Sequence, residues 1–211
     1  MSLREKGAVL ARRPVAWRAS TRFFPAKDAA PGGLGFVEDL LNTASMGKPR
    51  QPDLLADLDS AQAWLDASLK NLRRVDPQAP AAPITLDERG LRRIRTLRDA
   101  LRTALSGVSD TRTPTIEATT SASFSSDGPM LLPRGTGVEA LRSYALIQLI
   151  AARYGGTAGR LKVCANPRCQ GVFYDRSKNC SRVWHDVTIC GNIENVRAYR
   201  ARKRAERGAP A

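Results

Sequence analysis

All four cysteines and the only histidine of this chain lie between residues 164 and 190. Cys164 and Cys169 form one pair with four residues between them, and His185 and Cys190 form a second pair with the same spacing. Thiolate and imidazole groups are ligands that zinc prefers, and a structural zinc ion takes four of them in a tetrahedron. We therefore predict one structural Zn²⁺ site at these four residues, with no open position for catalysis.

Cys180 is the alternative to His185 as the third ligand. It would give an all-cysteine site with irregular spacing, and it lies in a polar segment, 176–182, that is typical of a turn. The equal spacing of the two outer pairs favours His185, but the residues alone leave both choices open.

A segment rich in arginine directly follows the fourth predicted ligand. Asn192 is a suitable N-cap for a helix there, and Val196 and Tyr199 are expected to pack back on the zinc module. Arginines recur there at intervals of three, four and three residues, which places them on one helical face; they are Arg197, Arg200, Arg204 and Arg207. We predict that this helix binds nucleic-acid phosphates and that basic residues of the polar segment 176–182 also contact them. The predicted contacts are Arg176, Lys178, Arg182, Arg197, Arg200, Arg202, Lys203, Arg204 and Arg207.

The segment between the two ligand pairs is expected to be a small β-hairpin. Residues 171–174 are predicted to form a strand, 175–181 a turn, and 182–184 the returning strand. Phe173, Tyr174 and Trp184 are expected to be its core, although one of them could stack on a base. A module of this size buries too little apolar surface to fold well alone, which explains why it would need zinc.

Residues 160–205 closely resemble the CGNR zinc-finger family. The resemblance is carried by the first cysteine pair, by FYDRSKNCSRVWHDVTIC at 173–190 with the Gly191-Asn192 that follows it, and by RAYRARKR at 197–204. A weaker resemblance upstream, at 32–37, 41–43, 53–55 and 63–65, is to the ABATE domain. This architecture implies bacterial proteins described as predicted stress-induced transcriptional regulators. In the family the third ligand is usually cysteine, whereas here His185 holds that place, and Ile193 replaces the arginine of the family name.

The rest of the chain predicts an α+β protein: a mostly helical amino-terminal domain with a β-hairpin, then a small zinc-knuckle or ribbon module with a basic helix. Ser60 and a Thr85–Glu88 capping box are expected to start two helices, and residues 116–132 to form the hairpin. Asn42 is expected to serve in a cap or turn, and 155–159 as a hinge or C-cap. The predicted boundaries are 1–30 for a flexible basic leader, 31–154 for the ABATE-like domain and 160–207 for the zinc finger.

Charge is distributed unevenly along the chain. The net charge of +14 divides into +5 over residues 1–50, zero over 51–152 and +9 over 153–211. A neutral scaffold with a strongly basic end is typical of a protein that binds a polyanion. Clustered cysteines at metal spacing favour a reducing, cytoplasmic location, and no apolar run is long enough to cross a membrane.

These features predict a DNA-binding transcriptional regulator, with duplex DNA as partner and a homodimer plausible on a palindromic site. RNA binding through the aromatic hairpin, or a protein-interaction module with a basic tail, are the alternatives. No second histidine and no paired carboxylates in a glycine-rich loop are present, so we do not expect an enzyme. The target sequence, the regulatory sign and any small-molecule effector are not encoded in a readable pattern.

Overall fold

The computed structural model describes residues 29–46, 50–107, 115–126 and 128–208. Of residues 207 and 208 it describes the backbone only. Residues 1–28 of the predicted basic leader lie outside the described residues. The two that follow, Ala29 and Ala30, are buried in the main core.

Within the described residues, four α-helices form the larger part of the structure, and a fifth follows the second strand pair. They are α1 Leu34–Leu41, α2 Leu58–Val75, α3 Glu88–Leu105, α4 Val138–Tyr154 and α5 Asn192–Gly208. Two antiparallel strand pairs accompany them: β1 Thr120–Ser125 with β2 Gly128–Pro133, and β3 Leu161–Val163 with β4 Val172–Tyr174. The predicted fold class, with its hairpin between helices and its small carboxy-terminal module, is confirmed. No helix within the described residues is both long and apolar enough to span a bilayer.

Two predicted helix starts were wrong by one or more residues. Asp57 caps α2, because its carboxylate accepts a hydrogen bond from the Ser60 amide at 2.8 Å. Asp87 caps α3 in the same way, accepting from the Gly90 amide at 2.6 Å, so Thr85 is not the capping residue. In each case a nearby aspartate, and not the predicted Ser or Thr, lies at the position from which its side chain reaches the first free amides.

The short helix α1 lies at the centre of the fold. All of its residues are buried, and it packs against α2, α3, α4 and β4. Phe36 stacks on Trp64 of α2 and meets Tyr144 of α4 edge-on, with ring centroids 6.2 and 6.1 Å away. Because α1 is covered on every side, its polar residues Glu38 and Asp39 are buried as well.

The zinc module, residues 160–207, shares its core with the helical part, residues 31–154. Leu161 of β3 and Val172 and Tyr174 of β4 belong to the same buried cluster as Phe36 and Leu40. Residues 155–159 do not form an open hinge: Gly155 caps α4, and a 3₁₀ turn, Ala158–Arg160, leads directly into β3.

The predicted hairpin of the zinc module was wrong in its second strand. β4 pairs with β3, which precedes the first cysteine, and residues 182–184 are not a strand. The 182–184 segment instead runs past the first knuckle, where the Val183 carbonyl accepts a hydrogen bond from the Ala165 amide at 2.9 Å. Pairing β4 with β3 lets both strands reach the apolar core, which a hairpin within the module would not.

Candidate metal centre and basic helix

A tight turn brings Cys164 and Cys169 together. Asn166 is buried within it: its side-chain oxygen accepts from the Arg168 amide at 3.0 Å, and its carbonyl accepts from the Cys169 amide at 2.9 Å. Gln170 then takes a positive φ of 57°, and the Gly171 amide donates to Cys169 Sγ at 3.4 Å. The turn therefore points both sulfurs to one side and provides one of them with a backbone donor.

A capped π-turn, Val187–Gly191, positions Cys190. The carboxylate of Asp186 accepts from the Ile189 amide at 2.9 Å and from the Thr188 hydroxyl at 2.7 Å. The turn continues without a break into α5, and Asn192 already has helical angles, φ −61° and ψ −40°. Asn192 is therefore not the N-cap; Asp186 has that role, one turn earlier.

The ligand atoms of Cys164, Cys169, His185 and Cys190 all lie within 4.8 Å of one another. His185 Nδ1 is 3.3 Å from Cys169 Sγ and 3.5 Å from Cys190 Sγ. Zinc bonds of about 2.3 Å to sulfur and about 2.0 Å to nitrogen, at tetrahedral angles, would separate such atoms by about 3.5 Å. The donor set and its spacing fit one structural zinc ion.

The three thiols of the cluster influence one another's ionisation. A hydrogen bond from Cys169, followed by one from His185, lowers the pKa of Cys164 to about 4 despite burial. The bond to Cys164, together with burial, raises the pKa of Cys169 well above its usual range, and burial and the charge on Cys164 raise that of Cys190 to about 11. A divalent cation held by these atoms would favour the ionised form of all three thiols.

Cys180 lies apart from this cluster. Its Sγ contacts the Gly159 carbonyl at 3.5 Å, and its backbone has a positive φ of 51°. Between the two ligand choices that the sequence left open, the structure gathers His185 with the other three cysteines.

Asp175 organises the loop between the two ligand pairs. Its carboxylate accepts from Lys162 Nζ and from the amides of Ser177 and Arg182, each at 2.8 Å. Burial opposes its charge, but these donors prevail and hold the pKa of Asp175 well below its usual range. Lys162 also donates to the Cys180 carbonyl at 2.6 Å, so β3 holds the loop through one ammonium group. Neither residue had a predicted role, because their contact joins positions 13 residues apart.

Trp184 and Gly191 pack closely beside the metal ligands. Trp184 lies against the cysteine cluster. A Cβ atom at Gly191 would be 3.1 Å from the Trp184 ring and 3.3 Å from the Val187 side chain. Glycine at 191 therefore lets the indole reach the beginning of α5.

Polar contacts from α1 and α3 attach the module to the helical part. The Asn42 amide forms two hydrogen bonds with the backbone of Val172, both 2.9 Å long. Glu38 accepts from the Tyr174 amide at 3.1 Å and from the Ala30 amide at 2.5 Å. Arg102 donates to the Gln170 carbonyl at 3.0 Å. Asn42 follows α1 as expected, but its side chain binds a strand 130 residues away.

Three of the predicted nucleic-acid contacts have partners within the protein. Arg176 donates to the Ala29 carbonyl and lies over the Tyr174 ring, with its guanidinium carbon 5.6 Å from the centroid. Arg182 donates to the His185 carbonyl and lies over Phe173, and Arg197 pairs with Glu194. These arginines contribute to the shape of the module before any partner arrives.

The other predicted contacts with described side chains are exposed. They are Lys178, Arg200, Arg202, Lys203 and Arg204; Arg207 lies in α5, but its side chain is outside the described part. Val196 and Tyr199 do not pack back on the module: they are 47% and 51% exposed. The α5 helix extends from its root into solvent, and Lys203 covers one face of the Tyr199 ring.

Comparison with known families gave two matches. Residues 160–203 match the family described as "CGNR zinc finger", and residues 35–154 match the ABATE family, described as "Putative stress-induced transcription regulator". No curated protein matched the chain.

Proposed function

This chain belongs to the ABATE family and carries a CGNR zinc finger, and we propose that it is a transcriptional regulator that binds duplex DNA through α5. The observation that carries the proposal is the position of this helix. It starts at the turn that holds the ligand Cys190, and its side chains from Ala198 to Glu206 are all exposed.

Three basic side chains of α5 share one face of the helix. At about 100° per residue, Arg200, Lys203 and Arg204 fall within about 100° of one another. The opposite side carries alanines at 198, 201 and 205. Arg202 lies outside the basic face, about 160° from Arg204. A helix of this width fits the major groove, with its basic face against phosphates.

The three aromatic residues between the two ligand pairs favour a duplex over single-stranded RNA. Phe173 and Tyr174 are buried, and Trp184 packs on the cysteines. Single-strand binding requires exposed rings on which bases stack, and these three are committed to the fold.

The zinc site supports a structural role. Four protein ligands complete a tetrahedron and leave no position for water or substrate, so we propose no catalytic activity. We further propose that residues 31–154 and 160–207 are the regulatory and DNA-binding parts of a cytoplasmic protein. A homodimer on a palindromic site remains a prediction.

The test is a fluorescence-anisotropy titration of zinc-loaded, full-length protein with duplex DNA at several salt concentrations. If about five phosphates are neutralised, log K falls with log salt at a slope of about −4 to −5. Arg200→Gln with Arg204→Gln is expected to weaken binding and to reduce this slope by about two. The matched control is Lys70→Gln with Arg153→Gln, which removes two exposed charges from the helical part.

Two results would refute the proposal: an affinity that does not depend on salt, or equal losses in the double variant and its control. Single-stranded RNA that displaces the duplex at lower concentration than duplex competitor would assign the surface to RNA instead. Arg202→Gln, off the basic face, is expected to weaken binding less than Arg200→Gln.

A further inference from the structure

The six arginines of α3 divide into two groups. Three of them bind backbone or carboxylate oxygens and hold the fold together. Arg95 donates to the carbonyls of Leu55 and Ala56 at 2.5 and 2.7 Å, and Arg98 reaches carboxylates of neighbouring loop and helix residues. Arg102 reaches the zinc module, as described above. The other three, Arg89, Arg92 and Arg93, lie on a different side of the helix, and Arg93 pairs with Glu139 of α4.

These other arginines line a cavity together with an arginine of α4. The cavity has a volume of about 220 Å³, and its basic residues are Arg89, Arg92, Arg93 and Arg142. Its apolar floor is formed by Leu97 and Ala100, both buried, and by the partly buried Ile116. The cavity thus offers charged donors on one side and an apolar surface on the other.

The cavity has more positive than negative charge. Glu139 lies 3.1 Å from Arg93 and 3.3 Å from Arg142, so one carboxylate serves two guanidinium groups. Arg92 lies only within 4.0 Å of Glu88, an exposed contact, and no ion pair within the described residues involves Arg89. Two carboxylates therefore face four arginines.

Arg142 has a donor atom that is paired by charge but makes no hydrogen bond of good geometry. Its Nε is buried and has no hydrogen-bond partner within the described residues, since Glu139 lies at ion-pair distance but outside hydrogen-bond geometry. A buried donor without a partner is costly, and an acceptor atom supplied by a ligand would satisfy it.

We propose that this cavity binds a small amphipathic anion, a carboxylate with an apolar body. Guanidinium groups hold carboxylates through paired, charge-assisted hydrogen bonds, and the floor of Leu97, Ala100 and Ile116 accepts the apolar part. The cavity is smaller than the pockets of about 300–1,000 Å³ that hold drug-sized ligands. The ligand is therefore of about the size of a medium-chain fatty acid or a bicyclic aromatic acid.

Isothermal titration of the zinc-loaded, full-length protein with octanoate tests the proposal. We expect saturable binding at one site per chain, with no comparable binding of octylammonium, acetate or inorganic phosphate. Octylammonium reverses the charge on the same apolar body, while acetate and phosphate keep the charge without that body.

Two variants locate the site. Arg89→Gln with Arg92→Gln removes two exposed charges from the wall, and Thr96→Trp places an indole in the cavity from an exposed lining position. Each is expected to weaken octanoate binding by about tenfold or more. Lys70→Gln with Arg153→Gln is the matched control, and an unchanged thermal midpoint and zinc content show that each variant is folded.

Three results would overturn the proposal. These are no saturable binding of octanoate, equal binding of octylammonium or phosphate, and octanoate binding that folded wall and cavity variants leave unchanged. DNA binding by α5 does not enter these measurements, so the proposal can fail while the proposed function stands.

Discussion

Removal of zinc is expected to unfold only the outer part of the zinc module. The ribbon of β3 and β4 is held to α1 by apolar burial and by hydrogen bonds from Asn42 and Glu38, none of which involves the metal. Between Asp175 and Val183 the chain is joined to the body by polar contacts only, such as those of Arg176 with Ala29 and of Lys162 with Cys180, and from His185 onward it is joined through the ligand cluster. The α5 helix has no apolar cover of its own.

The loss of helix on zinc removal can be worked out from the length of α5. An isolated helix of 17 residues is marginal in water, so α5 should melt once Cys190 no longer fixes its root. It holds about a fifth of the α-helical residues, and the helical circular-dichroism signal should fall by about that fraction. Structural zinc in small fingers contributes about 10–16 kcal/mol of apparent binding free energy, enough to account for such a transition.

Hydrogen exchange with and without a zinc chelator measures this directly. We expect amides in 178–208 to lose protection, while the amides of Val172 and Tyr174 stay protected by their bonds to Asn42 and Glu38. A mock-treated sample with zinc restored is the control. Loss of protection throughout the chain would show that the ribbon is not independently anchored, and persistent protection in α5 would show that zinc does not hold it.

Three further predictions concern the contacts around the module. Asn42→Ala removes the hydrogen-bond partner of both the buried amide and the buried carbonyl of Val172. The free energy of unfolding in urea should therefore fall by about 3 kcal/mol. Burial raises the pKa of Glu38 from 4.5 to about 7, so its contribution to stability is present below about pH 4.5 and is lost as pH rises through 7. The stability of the wild type relative to Glu38→Gln should therefore fall by roughly 3 kcal/mol between pH 4.5 and 8. Gly191→Ala moves the Trp184 ring and should weaken zinc binding by roughly tenfold in a competition with a chromophoric chelator.

Each of these has a result that contradicts it. Asn179→Ala, at an exposed position, is the control for Asn42→Ala, and equal stability of the two variants would remove the interface argument. Parallel stability curves of wild type and Glu38→Gln across pH would mean that the buried carboxylate titrates normally. Unchanged zinc affinity in Gly191→Ala would mean that the indole has room to move.

The local features of this protein could be predicted from its sequence. Ligand spacing predicted Cys164, Cys169 and Cys190 and favoured His185 over Cys180, since two residues of one turn converge on a metal whatever surrounds them. Period and turn residues likewise predicted the helices and the β1–β2 hairpin. These signals lie within a few residues of one another, so they do not depend on the rest of the fold.

The interface between module and helices could not be predicted in this way. Asn42 and Val172 are 130 residues apart, and an Asn at the end of a helix has the same sequence signature whether it caps a turn or binds a distant strand. The pairing of β4 with β3 was missed because the local pattern of residues 182–184 predicts a strand no less than that of residues 161–163. What decides between them is burial against α1, which no local pattern reports.

The most direct test of the central claim is duplex-DNA binding by one sample measured with zinc, after chelation and after zinc is restored. If the metal fixes the basic helix to the folded protein, the affinity for duplex DNA should fall on chelation and should return with Zn²⁺ but not with Mg²⁺. In the chelated protein, replacing Arg200 should weaken binding no more than removing any other positive charge. Equal affinity in the metal-free protein would contradict the account.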